Sequence, residues 1–204
     1  MPTFVCEQCQ KPFEVSPAAL AKYPNWRPKK CAGCRAPSVR SSAREENLTT
    51  SAVLDRYSEG PQSGIFTDGS ADPNPGPGGW GAVYVVDGTI IGEAHGHEAH
   101  TTNNRMELSA LIAGCKLAPR DAKTVIYSDS ELCVKTITQW AHGWRAKGWT
   151  KKGGPIKNLE LVQELYELFH SHPGLKLEWI RAHVGYRWNE YADSLATAYR
   201  RTTR

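Results

Sequence analysis

The chain has 204 residues, 40% of them hydrophobic, which is enough for one ordinary domain with a real core and something small besides. Its formal charge is +4, with nine Lys/Arg against six Asp/Glu in residues 1–62 and sixteen against fifteen in the rest, a balance that permits a nucleic-acid partner without demonstrating one. There is no run of about 18 apolar residues, and the opening MPTFVCEQCQ has no basic flank followed by an apolar stretch, so the expectation is a cytoplasmic protein with no helical membrane span.

Four of the six cysteines fall in the first 34 residues as two C-x-x-C pairs, Cys6/Cys9 and Cys31/Cys34, separated by 21 residues. Two such knuckles can set four thiolates tetrahedrally around Zn²⁺. A segment of about 35 residues buries too little to fold alone, so the metal would supply much of its folding free energy. A pair of disulfides is the competing reading, and the missing secretory signal speaks against it. Residues 1–38 are therefore expected to form a small zinc-ribbon-like module. Between its cysteine pairs, KYPNWRPKK interleaves Tyr23 and Trp26 with Lys22, Arg27, Lys29 and Lys30. Aromatics among basic residues suit a nucleic-acid surface, with protein docking as the alternative. Residues 39–62 are polar and Ser/Thr-rich, a linker in which SAVLDRYS can form a short helix.

From about Gly64 strands and helices alternate, so residues 63–204 read as the main domain. GIFTDGS, GWGAVYVV and TIIGEAHGH are the first three strands, and the tight turn Asp87-Gly88 makes them an antiparallel meander. In NNRMELSALIAGCKLA, Leu108, Leu111, Ile112 and Cys115 recur at helical spacing. KTVIYSDS is a buried strand. SELCVKTITQW is a second helix, where Trp140 continues the Cys133 and Ile137 stripe toward the core. KNLELVQELYELFHSH, the strand LKLEWIRA and the helix WNEYADSLATAYR complete the chain. Strands joined through helices run parallel, so the fold class is α/β with a five-stranded mixed sheet flanked by helices. Cys115 and Cys133 fit buried small hydrophobes. His95, His97 and His100 in HGHEAH are a weaker metal candidate.

Four acids fall where such a sheet gathers ligands. Asp68 ends the first strand, Asp129 ends the fourth, Glu107 lies near the start of the first long helix, and Asp193 shares a face of the last helix with Asn189. Ala110 and Gly114 let the Glu107 side of its helix come close to the sheet. Carboxylates held together repel unless a cation is present, and hard oxygen ligands suit Mg²⁺ or Mn²⁺. Two such ions can activate a water on one side of a phosphodiester and neutralise the leaving oxygen on the other. The Gly/Pro-rich TDGSADPNPGPGGWG around Asp68 lacks the Gly-Lys-Ser/Thr ending of a phosphate loop and reads as a turn that mounts a carboxylate.

The motifs FTDGS, NPGPGGWG, TTNNRMEL, YSDS, ITQWAHGWRAKGW with PIKN, and RAHVGYRWNEYADSLA resemble, in order, those of type 1 ribonuclease H, the family that cuts the RNA strand of RNA/DNA hybrids. The resemblance spans about 140 residues and implies a sheet of strand order 3-2-1-4-5. It implies that Asp68, Glu107, Asp129 and Asp193 are the metal-binding catalytic acids and that His183 is a histidine assisting proton transfer or product release. It further implies hydrolysis to 5′-phosphate and 3′-hydroxyl ends. Asn74, Thr102, Asn103, Asn104 and Asn158 match substrate contacts, and amide side chains can read 2′-hydroxyls and base edges. Turn and helix-cap chemistry is their competing use. QWAHGWRAKGWTKKGG resembles the family's basic protrusion, with Arg145 and Lys147 as phosphate contacts and Lys151 and Lys152 beside them. A monomer is expected. A DNA-processing enzyme of the integrase and transposase group shares the sheet and the acids, but TTNNRMEL and the protrusion match hybrid binders. A non-catalytic hybrid-binding protein would have no need of four repelling acids.

Overall fold

A computed structural model describes residues 2–7, 9–22, 27–31 and 47–202. The chain divides into two compact units, Met1–Glu46 and Asn47–Arg204. In the first, β1 (Thr3–Val5) and β2 (Pro12–Glu14) pair antiparallel, and α1 (Pro17–Lys22) follows. The turn between the strands is a knuckle: Gln10, at φ 59, donates its N–H to the Cys6 carbonyl at 2.9 Å, and Cys6 donates to Lys11 at 3.0 Å. A bond from the Glu7 N–H to the Lys29 carbonyl, 2.8 Å, ties Lys29 to this knuckle. Tyr23, Trp26 and Cys34 lie outside the described residues.

The second unit is built on β3 (Gly64–Ala71), β4 (Gly76–Val86), β5 (Thr89–Thr101), β6 (Thr124–Ser128) and β7 (Leu175–Trp179). Their order across the sheet is β5-β4-β3-β6-β7, which is 3-2-1-4-5 within the sheet. The first three run antiparallel, while β6 and β7 join β3 in parallel. β5 extends four residues past His97, because its ladder with β4 continues to the pair Gly76 and Thr101.

Alternation along β3 sends neighbouring residues to opposite layers. Ile65 joins a core with α3 (Asn103–Leu117) and α6 (Leu159–His170). Phe66 joins the other, with Trp188, Tyr191, Ala192 and Leu195 of α7 (Arg187–Ala196). The last helix expected from the sequence breaks after Ala196 and resumes as α8 (Tyr199–Thr202).

Two expectations are corrected here. Over residues 47–62 the chain is no free linker: α2 (Thr50–Arg56), capped by Thr49, buries Val53 to 1% exposure in the α7 core. The helix was legible, but its docking was not. The second concerns Trp140, which continues the Cys133 and Ile137 stripe in the sequence, with the use of each tryptophan left open there, yet is 38% exposed. After α4 (Glu131–Lys135) the chain winds one π-helical turn, Thr136–Trp140, in which the Ala141 N–H reaches back five residues to the Thr136 carbonyl. That extra residue per turn rotates Trp140 off the Cys133 and Ile137 face before α5 (Ala141–Arg145) begins.

Candidate active site

Asp68 does not end its strand as expected: β3 runs three residues further, to Ala71, because its ladder with β4 continues, and Asp68 sits within it, 7% exposed, on the face that looks at α7. Three glycines explain how two helices reach it. A Cβ on Gly69 would stand 2.2 Å from the Met106 carbonyl carbon and 2.3 Å from the Glu107 nitrogen, so α3 lies directly on the strand and delivers Glu107. In the opposite layer, a Cβ on Gly79 would stand 2.3 Å from the Ala196 oxygen, and one on Gly81, the register partner of Asp68, 2.5 Å from the Ala192 oxygen. α7 therefore packs on bare backbone, which brings Asp193 to Asp68. Gly114 performs the same service for α3, with its missing Cβ 2.9 Å from Thr67.

Carboxylate oxygens of Asp68, Glu107 and Asp129 all lie within 4.8 Å of one another. Asp193 is hydrogen-bonded to Asp68 through its side chain. Burial first, then the charges of Asp129, Glu107 and Asp193, hold Asp68 well above the usual carboxylate range. Burial and the charge of Asp129 do the same to Glu107, whose Oε2 is buried without a hydrogen-bond partner. Burial also raises Asp129, but a hydrogen bond from Asn189 and the nearby His183 hold it back. Protonation or a cation relieves this repulsion. Convergent oxygens of Asp68, Glu107 and Asp129, with one buried atom unpartnered, fit a hard divalent cation; Asp193 is not among the three acids that gather within 4.8 Å.

Asn189 and Trp179 are site residues that the sequence reading did not assign. Asn189 is 3% exposed and was visible only as a face-mate of Asp193, four residues away. The Trp179 indole Nε1 donates to the Asp129 carbonyl at 3.0 Å, a contact with no sequence signal. His183 lies in the exposed loop between β7 and α7, at φ 51.

Four of the expected substrate contacts, Asn74, Thr102, Asn103 and Arg145, make bonds within the protein. The Asn103 Oδ1 accepts from the Ala71 N–H, and the Asn74 Oδ1 accepts from the Asn103 N–H at 3.3 Å, locking the end of β3 to the start of α3. Thr102 caps α3 by accepting from the Arg105 N–H, and Asn104 is exposed in its first turn. Asn158, at φ 53, precedes α6 without a side-chain cap bond. Arg145 bonds to Glu167 at 3.1 Å and covers the Tyr166 ring. Lys147 lines an open cleft of about 650 Å³ with Trp140, Trp144, Thr150, Lys151 and Lys152. Cys115 and Cys133 are buried, their thiols pushed up to about 12 by burial. Among the described residues His95, His97 and His100 do not gather into a metal-binding group, whereas the sulfurs of Cys6, Cys9 and Cys31 do, within 4.8 Å.

A family model for RNase H matches residues 61–201. The chain belongs to the RNase H family. A ribonuclease H of Acidovorax sp. is 49% identical over 135 residues, covering 65% of this chain and 90% of its own. One of Methylorubrum extorquens is 46% identical over 138 residues, covering 67% of this chain and 59% of its own, so this chain spans under two thirds of that relative. Among solved structures, LC9-RNase H1, a type 1 RNase H, aligns over 72% of this chain and 76% of its own with a TM-score of 0.57 and 29% identity. The N-terminal RNase H domain of a Mycobacterium tuberculosis protein aligns over 69% and 95% with a TM-score of 0.52 and 27% identity. The chain is thus a type 1 ribonuclease H, and divalent-metal use at its acidic cluster goes with the family.

Proposed function

We propose that the enzyme hydrolyses the RNA strand of RNA/DNA hybrids at Asp68, Glu107, Asp129 and Asp193, with two Mg²⁺ or Mn²⁺ ions as cofactors and 5′-phosphate and 3′-hydroxyl products. The observation that carries this is the convergence of three carboxyl groups within 4.8 Å, held at raised affinity for a proton until a cation replaces it. When bound, the ions supply an activated water and charge neutralisation at the leaving oxygen. Asp68 and Glu107, fixed by the close approach at Gly69, hold the centre of the ligand set. Asn189 favours the ionised form of Asp129 against the effect of burial and orients it, and Asp193 closes the set from α7. His183 moves the proton near Asp129 or helps the product leave. A complete acid set favours this reading over a non-catalytic hybrid binder. TTNNRMEL and the protrusion favour it over DNA-processing chemistry.

Substrate binding falls to Asn74, Thr102, Asn103, Asn104 and Asn158 on the RNA-reading side, and to Lys147 with Lys151 and Lys152 on the DNA strand. Arg145 contributes to the protrusion through its hold on α6 as well as by charge. In the N-terminal unit Cys6, Cys9, Cys31 and Cys34 bind Zn²⁺. The Cys9 and Cys31 sulfurs stand 3.7 Å apart, and a tetrahedron with Zn–S of about 2.3 Å has edges of about 3.8 Å. The module is a second nucleic-acid contact, and the protein works as a cytoplasmic monomer. A labelled hybrid incubated with Mg²⁺ tests the central claim. It should be cut in the RNA strand by the wild type and left intact by Asp68→Asn. Equal cutting by the variant would refute the assignment.

A further inference from the structure

The residues before the family match are attached to the catalytic machinery at both ends. Toward its start, Leu48 presents its carbonyl to the Arg201 guanidinium at 2.8 Å, and the same guanidinium also reaches the Ser194 carbonyl at 2.7 Å. Leu54 presents its carbonyl to Arg187 at 3.3 Å, while Val53 is buried among Trp188, Tyr191 and Leu195. Toward its end the segment runs under the loop that carries His183. Glu59 forms a parallel bridge with Tyr186 and accepts the Arg187 N–H at 2.8 Å. Gly60 lies so close that a Cβ there would stand 2.9 Å from the Tyr186 Cβ, and the Tyr57 ring packs 3.7 Å from where a Cβ on Gly185 would be.

The loop resting on this support is an unfavourable piece of backbone. His183 at φ 51 and Gly185 at φ 83 both adopt the left-handed region within three residues. A residue with a side chain keeps such a conformation only when its surroundings over-determine it. From the other side, the Gly185 N–H donates to Glu190 Oε1 at 3.3 Å. Residues 57–60 constrain the loop as well, through Tyr57 on Gly185 and through Glu59 and Gly60 on Tyr186.

We propose that residues 48–60 are a brace for the His183 loop and the start of α7, with Tyr57 and Glu59 as positioning residues for His183. α2 is the anchor of the brace and residues 57–60 its working end. The inference rests on the role given above to His183. It extends the functional unit upstream of residue 61, where the family match begins.

A double-mutant cycle on the full-length chain, cutting an RNA/DNA hybrid with Mg²⁺, tests the brace. Tyr57→Ala should lower kcat by about tenfold with KM changed less than about twofold, because a misplaced group loses rate before it loses affinity. His183→Ala should lower kcat at least as far, and adding Tyr57→Ala to it should cost nothing further. Hydrogen exchange at residues 181–187 should quicken in Tyr57→Ala while exchange in β3 and β4 stays unchanged. Tyr57→Leu, which keeps the apolar burial, replaces the alanine variant if that one does not fold. Multiplying losses in the double variant, or an unaltered kcat in Tyr57→Ala, would overturn the brace. Should His183→Ala itself keep full kcat, the role of His183 falls. The brace is then decided by exchange at 181–187, and unchanged exchange there would overturn it as well.

Discussion

Carboxyl groups gathered at one rim oppose folding until a cation arrives, and Asp68, pressed by Asp129, Glu107 and Asp193, is among those under that opposition. Its raised proton affinity has a definite consequence for stability without metal. In the unfolded chain the group titrates near about 3.9, and in the folded one well above that. Between the two values the folded state holds more protons, so stability is full below about pH 4 and is lost as pH rises through the folded value. Asp68→Asn removes the charge and keeps the shape and a hydrogen-bonding partner for Asp193. Metal-free Asp68→Asn should therefore be more stable than wild type at pH 7, by about 1–3 kcal/mol, and no different near pH 3. Thermal melts in chelator at the two pH values measure this. Mn²⁺ should raise the melting temperature of the wild type and have little effect on the variant. Equal melting of both proteins at pH 7 would mean that Asp68 is not under the repulsion described.

Helix placement, at the next scale, depends on absent side chains. Gly69 and Gly81 sit on opposite sides of the sheet and each admits a helix backbone where a methyl group would collide. Gly81→Ala would push α7 away at Ala192 and Leu195 and take Asp193 with it. Overpacking of this kind costs about 1–3 kcal/mol, and a displacement near 1 Å at a reacting group costs up to about 100-fold in rate. Gly143 is the control. It lies inside α5 with no atom within 4 Å of an added Cβ, so Gly143→Ala should gain up to about 1 kcal/mol and keep full kcat. Melting and steady-state rates of the two variants, side by side, check the contrast. The same glycines show where sequence reading stops. The strands and the acids at their ends follow from alternation and from motifs within single segments. That Gly69 serves Glu107 and Gly81 serves Asp193 depends on partners 38 and 112 residues away, as the numbering itself gives. The seven-residue α2 carries a single fully buried side chain, Val53, too little periodicity to announce that it docks. A π-helical turn shifts the register by one residue, and a stripe counted at 3.6 residues per turn then puts Trp140 on the wrong face.

At the scale of the whole molecule, a basic unit, for which a zinc staple is proposed above, precedes a catalytic unit with its own core. In the N-terminal unit only Cys6 and Val15 are buried hydrophobic residues among those described, too few to hold a fold without a staple. The catalytic unit has two hydrophobic clusters and needs no thiolate metal to close them. Cys9→Ser should therefore remove the bound zinc, which atomic absorption would show as a fall from one ion per chain to none, and unfold residues 2–31 by hydrogen exchange. The main melting transition should stay where it is, because the catalytic core contains none of the four thiols. If the module is a nucleic-acid contact, hybrid affinity should also fall and depend less on salt. Lys11, Lys22, Arg27, Lys29 and Lys30 are the basic residues among its described residues, and each phosphate they neutralise adds about 0.7–0.9 to the slope of log K against log salt. A slope unchanged by Cys9→Ser, with the zinc gone, would move the module from nucleic acid to protein docking. A zinc-free wild type would remove the staple itself.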